Sequence, residues 1–396
     1  MIVKEYAEML NAKSVIREMS AFAAERGKKI GYENVFDYSL GNPSVPVPEK
    51  LRTKIAKLAL EGNPMEVYGY SPTLGIPAVR EKVAASLKKR FGVPYEGKHI
   101  FMTSGAAGAL AHAFRCVLNK GDEILTFAPY FSEYGPYTKP VADLRVVPAD
   151  TEKFQINFEA FASMMSEKVA AVLVNSPNNP SGTVYSEETI QKMADFLRKK
   201  QEEYGHDIYI ISDEPYREIL FDGTVVPYIP KYYENTIVCY SFSKSISLPG
   251  GRIGYVAVSP ACKDAELLIN MCGQISRGIG HNCPTSLMQL AVAEILDETS
   301  DMSVYEKNMN LLYETLTDLG FTCVKPKGTF YIFPKALEAD ATAFCKKALN
   351  YDLVLVPGDG FGCPGYFRMA YCIDTEKVER SLPVLRKFVE AEYPSR

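Results

Sequence analysis

Two apolar runs, AAVLVN (170–175) and DIYIISD (207–213), decide the fold class of this chain. Each run is apolar at successive positions, which is typical of a strand buried on both faces of a sheet. A long segment with apolar residues at helical spacing, ETIQKMADFLRKKQEEYG (188–205), lies between them. The pattern therefore predicts strand, helix and strand in a mostly parallel sheet that helices cover.

The same alternation extends from about residue 50 to residue 290. Its other members are the helical segments LRTKIAKLALEG (51–62), VREKVAASLKKRFG (79–92) and ALAHAFRCVLNKG (109–121), and the strands HIFMT (99–103), EILTF (123–127), TIVCYSF (236–242) and IGYVAVS (253–259). These segments predict an α/β domain with a helix-covered, mostly parallel sheet.

Both ends of the chain predict a smaller α+β domain. The N-terminal part has a helical pattern over residues 4–29, a short strand VFDYSL (35–40) and a proline-rich turn (41–48). The C-terminal part predicts helices over 287–319, a strand pair over 321–334, strands in 351–362 and 365–372, and a last helix over 375–393. We therefore place the large domain at residues 48–290 and the small domain at residues 1–47 and 291–396.

Composition excludes several classes of function. A chain of 396 residues is longer than a single hydrophobic core usually serves, which favours two domains. The net charge of -4 disfavours nucleic acid as a partner. Nine cysteines without a C-x-x-C pair indicate a reducing cytoplasm, and four histidines without a ligand pattern make a metal site improbable. No apolar run approaches the roughly 20 residues of a membrane span.

Polar side chains lie where two of the predicted strands end. Asp213 in SDEPY (212–216) ends a buried strand, where its charge needs a cation or donor, while Glu214 is either solvated or a helix cap. Asn179 in NSPNNPSGTVY (175–185) offers both a donor and an acceptor, although this segment taken alone favours an ordinary Asn-Pro turn. Open α/β sheets bind ligands at this rim.

Lys244 follows the strand TIVCYSF within SFSKSISLPGGRIGY (241–255). A lysine taken alone is more often a surface residue, but the flanking serines and glycines permit close approach of another molecule. A desolvated ammonium beside another cation, such as Arg252, loses proton affinity and becomes a nucleophilic amine. Near the C-terminus, Arg368 lies within the apolar run GYFRMAYC (365–372), where it either binds a carboxylate bidentately or forms a structural ion pair.

A glycine turn between a strand and a helix, in HIFMTSGAAGALAHAF (99–114), leaves unpaired N–H groups at Gly105, Ala106 and Ala107. Such a turn binds a phosphate, or simply connects the two elements. The G-x-G-x-x-G fingerprint of dinucleotide binding is absent.

Six segments of this chain, taken together, resemble the class I/II aminotransferases. They extend over nearly the whole chain and follow the order of that family. The segments are GNP (41–43), YSPTLGIPAVR (70–80), SPNNPSG (176–182), SDEPY, SFSKSISLPGGRIGY and FRMAY (367–371). These are pyridoxal-phosphate (PLP) enzymes of fold type I, with aspartate aminotransferase among them. The resemblance implies a homodimer that moves an amino group from an amino acid to a 2-oxo acid such as 2-oxoglutarate.

The resemblance also implies residue roles. Lys244 resembles the lysine that holds the cofactor covalently, Asp213 the carboxylate at the pyridine nitrogen, and Arg368 the group that binds the substrate α-carboxylate, aided by the backbone of Gly41. The other implied cofactor contacts are Asn179 and Tyr216 at the ring oxygen, Phe131 stacked on the ring, and Ser241, Arg252, the Gly105–Ala107 turn and Tyr70 of the neighbouring subunit at the phosphate.

The amino donor is less clearly indicated. Arg277 in GQISRGIGHNCP (273–284) resembles the arginine with which dicarboxylate-specific members hold an ω-carboxylate across the dimer, which favours aspartate. The chain has no tryptophan, so the indole N–H of some aspartate-specific members is missing. Aromatic or neutral donors, or a β-lyase or decarboxylase reaction at the same site, are the alternatives.

Two other classes of protein match the sequence less well than the aminotransferases do. Ser241–Lys244 is also an S-x-x-K motif of β-lactamases and penicillin-binding proteins, but the chain has SDE (212–214) and KGT (327–329) where that class needs SDN and KTG. A non-catalytic PLP-binding sensor of a transcription regulator would need a basic DNA-binding domain, and the N-terminus offers one helix of mixed charge.

Overall fold

The computed structural model describes residue 2, residues 4–10 and residues 14–394. Its strands are Phe36–Asp37 (β1), Ile100–Thr103 (β2), Glu123–Phe127 (β3), Asp143–Val147 (β4), Val169–Asn175 (β5), Tyr209–Asp213 (β6), Thr236–Ser241 (β7), Gly254–Val258 (β8), Tyr331–Ile332 (β9), Leu353–Val354 (β10), Val356–Pro357 (β11) and Phe367–Ala370 (β12).

The α-helices alternate with these strands through the middle of the chain. They are Lys4–Met9 (α1), Val15–Ile30 (α2), Glu49–Glu61 (α3), Pro64–Tyr68 (α4), Pro77–Phe91 (α5), Ala106–Val117 (α6), Tyr134–Thr138 (α7), Phe158–Met164 (α8), Glu187–Tyr204 (α9), Phe242–Ser245 (α10), Ala265–Ile279 (α11), Ser286–Val292 (α12), Ser303–Asp318 (α13), Ala341–Ala348 (α14) and Thr375–Glu392 (α15).

A seven-stranded sheet in the order β2-β8-β7-β6-β5-β3-β4 forms the centre of the molecule. The pairs from β4 through β7 are parallel, whereas β8 runs antiparallel to both β7 and β2. The predicted mostly parallel, helix-covered sheet is therefore confirmed.

Alternate residues of β5 show why these strands are apolar at every position. Ala171 and Leu173 pack on one face with residues of α6 and α11, and Val172 and Val174 pack on the other face with residues of α9. Both faces of the sheet are thus dry, and this burial stabilises the strand arrangement that carries the site.

Segments from both chain ends share one further hydrophobic cluster. It joins Phe36 and Tyr38 near β1 to residues of α13, α14 and α15, and it also includes Tyr216 from the middle of the chain. Two small sheets, β1-β10 and β11-β12-β9, lie in these terminal segments. The domain boundaries at residues 48 and 290 stay a prediction.

Three local predictions were wrong or incomplete. The helical pattern over residues 4–29 gives two helices, α1 and α2, because Leu10 and Ser14 are not helical; residues 11–13 lie outside the described part. The expected strand pair over 321–334 contains only β9, and the edge strand β4 was not predicted.

Within the described residues, no helix combines the length and the apolar character needed to cross a membrane.

Candidate active site

The carboxyl ends of β5, β6 and β7 place three polar segments side by side. Asn175 is the register partner of Asp213, which in turn pairs with Cys239 of β7, two residues before Ser241. The Asn175 side chain donates a hydrogen bond of 2.9 Å to the Asp213 carbonyl. Because the strands are parallel, residues far apart in the sequence meet at one rim of the sheet.

Asp213 is a buried carboxylate with only one of its oxygens paired. The Tyr134 hydroxyl donates to Oδ2 at 2.6 Å, whereas buried Oδ1 has no hydrogen-bond partner among the described residues. Burial raises the pKa of Asp213 to about 7, since a desolvated carboxylate favours its neutral form. The Tyr134 hydrogen bond opposes that rise, and the nearby Glu214 adds to it. Asp213 therefore offers a strong acceptor to a cationic N–H group.

Lys244 lies in the short helix α10, immediately after β7. Its Nζ donates a hydrogen bond of 2.7 Å to the Gly41 carbonyl, which comes from the N-terminal part of the chain. Desolvation lowers the pKa of Lys244 to about 8, and the positive charges of Arg368 and Arg252 contribute to the decrease. This amine therefore loses its proton more readily near neutral pH than an ordinary lysine does.

Arg368 lies on β12 with its guanidinium buried. Nη1 donates to Asn179 Oδ1 at 3.0 Å and Nη2 donates to the Ser39 carbonyl at 2.6 Å, while buried Nε has no partner among the described residues. The guanidinium also lies over the Tyr331 ring, 4.6 Å from its centroid. No described carboxylate pairs with it, so the alternative of a structural ion pair is not supported.

A small cradle lies where α6 begins. Gly105 has φ +84°, and a Cβ built there would be 3.0 Å from Arg252 Nη2 and 3.4 Å from Ser241 Oγ. Arg252 itself donates to the carbonyls of Ser104 and Pro249 at 3.0 and 2.9 Å. Backbone N–H groups at the helix start, a hydroxyl and a guanidinium thus converge on one point, as an anion requires.

One cavity of about 420 Å³ brings most of the predicted residues together. The predicted residues in its wall are Gly41, Ala106, Ala107, Phe131, Asn179, Asp213, Tyr216, Ser241, Lys244, Arg252 and Arg368. Gly105, the residue that caps α6, is buried and lies beside Ser241 and Arg252 of this wall. Sequence reasoning thus placed residues from both ends and the middle of the chain in one site.

Two predicted residues lie outside the cavity wall. The Tyr70 side chain is 100% exposed, and Arg277 is exposed near the end of α11, where it donates to Gln274 at 3.1 Å. Both were assigned to a site shared with a second subunit. Their roles stay predictions.

Sequence reasoning missed several residues of the site. Tyr134 holds Asp213, and the Tyr331 hydroxyl lies 3.1 Å from that of Tyr216. Arg17, beside Ser14 and Ile16, brings the start of α2 into the cavity wall. Tyr134 lies three residues after the predicted Phe131, in APYFSEY (128–134). No local pattern marks Tyr331 or Arg17, because the residues they meet across the site are distant in sequence.

Comparison with known proteins gives a consistent picture. A family profile described as aminotransferase class I and II matches residues 33–385. The aspartate aminotransferase of Geobacillus stearothermophilus is 28% identical over 93% of this chain and 94% of its own length. An aromatic-amino-acid aminotransferase of Thermococcus litoralis is 29% identical over 98% of this chain and 99% of its own.

A solved structure of an amino transferase from Eubacterium rectale is also similar, with a TM-score of 0.96 and 44% identity. The match covers 99% of this chain and 100% of that chain. Because the family profile covers most of the sequence and the fold is the helix-covered sheet of fold type I, this chain belongs to the class I and II aminotransferases and is a PLP-dependent transaminase.

Proposed function

We propose that this enzyme moves an amino group from an amino acid, with aspartate as the favoured donor, to a 2-oxo acid such as 2-oxoglutarate. The observation that carries the proposal is that Lys244, Asp213 and Arg368 line one cavity. An amine of lowered pKa, an acceptor for a cationic ring nitrogen and a carboxylate-binding guanidinium are the groups that transamination of an α-amino acid needs.

The described residues fit pyridoxal phosphate. The unpaired Oδ1 of Asp213 suits the protonated ring nitrogen, and the cradle at Gly105, Ser241 and Arg252 suits the phosphate. Asn179 and Tyr216 would hold the ring oxygen, and Phe131 would stack on the ring. When bound, the cofactor supplies an electron sink for the pair left at the substrate Cα.

Lys244 is the proposed general base and acid. With a pKa of about 8, about a tenth of the amine is free at pH 7, compared with well under a hundredth for an ordinary lysine. With the cofactor bound, this amine would take the proton from the substrate Cα and deliver it to C4′ of the cofactor, and it would carry the proton back in the reverse half of the reaction. The contact of Nζ with the Gly41 carbonyl holds the amine in the cavity.

Arg368 is the proposed clamp on the substrate α-carboxylate. Asn179 and the Ser39 carbonyl already fix two of its nitrogens, so the guanidinium is oriented before the substrate arrives. Preorganisation of this kind lowers the entropy lost on binding and sets the direction of the Cα–H bond. Asp213 has a separate role: its negative charge would keep the pyridine nitrogen of the cofactor protonated.

One alternative donor class at the same site has specific support. The Thermococcus litoralis relative bears the name of an aromatic-amino-acid aminotransferase, which supports aromatic donors as the second candidate. A β-lyase or decarboxylase would use the same amine and carboxylates but would release ammonia or carbon dioxide without consuming a 2-oxo acid. A sensor would bind the amino acid without turnover.

An amino-donor panel with 2-oxoglutarate as acceptor tests the proposal. We expect glutamate formation with aspartate above that with phenylalanine or alanine. Equal or greater rates with aromatic donors would move the assignment to the second candidate. Release of ammonia or carbon dioxide without glutamate would exclude transamination as the main activity.

Lys244→Ala is the first residue-specific prediction. We expect loss of measurable turnover with weak, non-covalent cofactor binding retained, since the phosphate and ring contacts lie on other residues. Lys263→Ala, at an exposed lysine that pairs with Asp207, is the matched control and should keep full activity. The measurements are the donor assay and borohydride trapping followed by peptide mass analysis; turnover in Lys244→Ala would contradict the assigned role.

We further propose a homodimer and a cytoplasmic location. Outward-facing Tyr70 and Arg277 support the dimer, because neither reaches the cavity of its own chain. Arg277 then stays a candidate for contact with a substrate in the neighbouring subunit. Nine free cysteines support a reducing compartment.

A further inference from the structure

The start of α2 brings an arginine to the cavity that no predicted role uses. Arg17 lies in the first turn of this helix and lines the cavity together with Ser14 and Ile16. Its side chain is 80% exposed, so it is not part of the hydrophobic packing of α2. An arginine held at the rim of a substrate cavity is positioned to meet an anionic group that enters.

The other cations of the cavity already have partners. Lys244 donates to the Gly41 carbonyl, Arg252 donates to Ser104 and Pro249, and Arg368 donates to Asn179 and Ser39. Arg17, in contrast, has one ion pair within the described part of the chain, with Glu133 at 4.0 Å. That separation is the outer limit of an ion pair, so the guanidinium has hydrogen-bond donors to offer.

We propose that Arg17 determines specificity by binding the side-chain carboxylate of an acidic amino acid or 2-oxo acid. The inference rests on the aminotransferase function proposed above. A dicarboxylate needs two guanidinium partners, and Arg368 serves only the α-carboxylate. Arg17 supplies the second from the same chain, on a different element of the same cavity wall.

Glu133 provides an alternative partner for Arg17 when no substrate carboxylate is bound there. An exposed ion pair is weak, so a substrate carboxylate can replace Glu133 as the partner of Arg17. With a neutral substrate, Arg17 keeps Glu133 and the apolar side chain lies against Ile16 and Leu40, which also line the cavity. One cavity thereby accepts both the acidic partner and a neutral partner of a transamination.

Arg17→Gln and Arg17→Lys of the holoenzyme test the proposal. For Arg17→Gln we expect kcat/KM for aspartate and for 2-oxoglutarate to fall about 10- to 100-fold, the effect of losing a charged hydrogen bond. The values for alanine and pyruvate should change less than about twofold. Arg17→Lys should recover part of the loss, because it restores the charge but not the two-pronged geometry.

The control is Arg386→Gln, at an exposed arginine that pairs with Asp318 and does not line the cavity. This variant should keep the wild-type kcat/KM for aspartate, 2-oxoglutarate, alanine and pyruvate. Arg277→Gln is the competing variant. A selective loss for acidic substrates in Arg277→Gln and none in Arg17→Gln overturns the proposal, and so does an equal loss for acidic and neutral substrates in Arg17→Gln.

A calorimetric titration separates this inference from the proposed function. Succinate should bind the holoenzyme about 10-fold or more tightly than it binds Arg17→Gln, while butyrate should bind both equally. If the wild-type enzyme transaminates no acidic donor but the succinate difference persists, the proposed donor fails and the role of Arg17 stands. If transamination occurs and succinate binds both proteins equally, Arg17 is not the carboxylate partner.

Discussion

At the scale of single residues, Asp213 shows what sequence reasoning can reach. An aspartate after a buried strand needs a partner, and the sequence predicted one. It did not identify Tyr134, whose hydroxyl donates to Asp213 from 79 positions away. Composition and spacing encode that a charge is buried, but the identity of its donor depends on how α7 packs beside β6.

The raised pKa of Asp213 gives a pH-dependent prediction for the apoprotein. The folded state binds this proton more tightly than the unfolded state, whose aspartate has its ordinary pKa of 3.8. Stability from this group is therefore present below about pH 4 and is lost as pH rises to about 7, by at most about 4 kcal/mol. Thermal unfolding of the apoprotein and of Asp213→Asn across this range should show the wild type losing stability relative to the variant.

Tyr134→Phe is the companion variant for this test. It removes the hydrogen bond that opposes the rise, so the pKa of Asp213 should increase further and the loss of stability should extend to higher pH. Parallel stability curves for the wild type and Asp213→Asn between pH 4 and 8 would contradict the assigned ionisation of Asp213.

At the scale of elements, the central strands were predictable and the edges were not. β5 and β6 are apolar on both faces because helices cover both, so their sequences carry the signal. β4 is an edge strand with exposed Asp143 and half-buried Arg145, and its pattern resembles a loop. The segment before β9 likewise alternates in polarity without finding a strand partner, because tertiary contacts decide pairing.

The turn from β2 into α6 gives an element-scale prediction. Gly105→Ala would place a Cβ against Arg252 Nη2 and Ser241 Oγ, in a backbone conformation with φ +84°. We expect the phosphate contacts to weaken and the dissociation constant of pyridoxal phosphate to rise at least about 10-fold. Fluorescence or absorbance titration of the apoprotein measures this change.

Gly121→Ala is the control for backbone strain. Gly121 has φ +98°, and a Cβ there would meet no atom within 4 Å. Both alanine variants should lose about 1–3 kcal/mol of stability from their strained backbones. Only Gly105→Ala should lose cofactor affinity; an equal effect on affinity in the two variants would show that the cradle does not contact the phosphate.

At the scale of the whole molecule, the site depends on contacts between the chain ends and the middle. Lys244 meets Gly41 across 203 positions, and Arg368 meets Asn179 across 189. The family resemblance grouped these residues into one predicted site, because it compared motifs in sequence order. It did not indicate Arg17 or Tyr331, which lie outside the motifs shared with the family and enter the site through the packing of α2 and β9.

The assembly gives the last prediction. The side chains of Leu60, Met65, Tyr68 and Tyr70 are all exposed and lie close together in the sequence. Large apolar side chains that are exposed on the monomer favour association with a second chain. If Tyr70 reaches the phosphate of the neighbouring subunit, Tyr70→Phe should raise the cofactor dissociation constant about 10-fold. Tyr68→Phe is the matched control, because its hydroxyl donates to Ala59 of its own chain. Sedimentation should give the mass of a dimer. A monomer that is fully active at high dilution would refute the shared site.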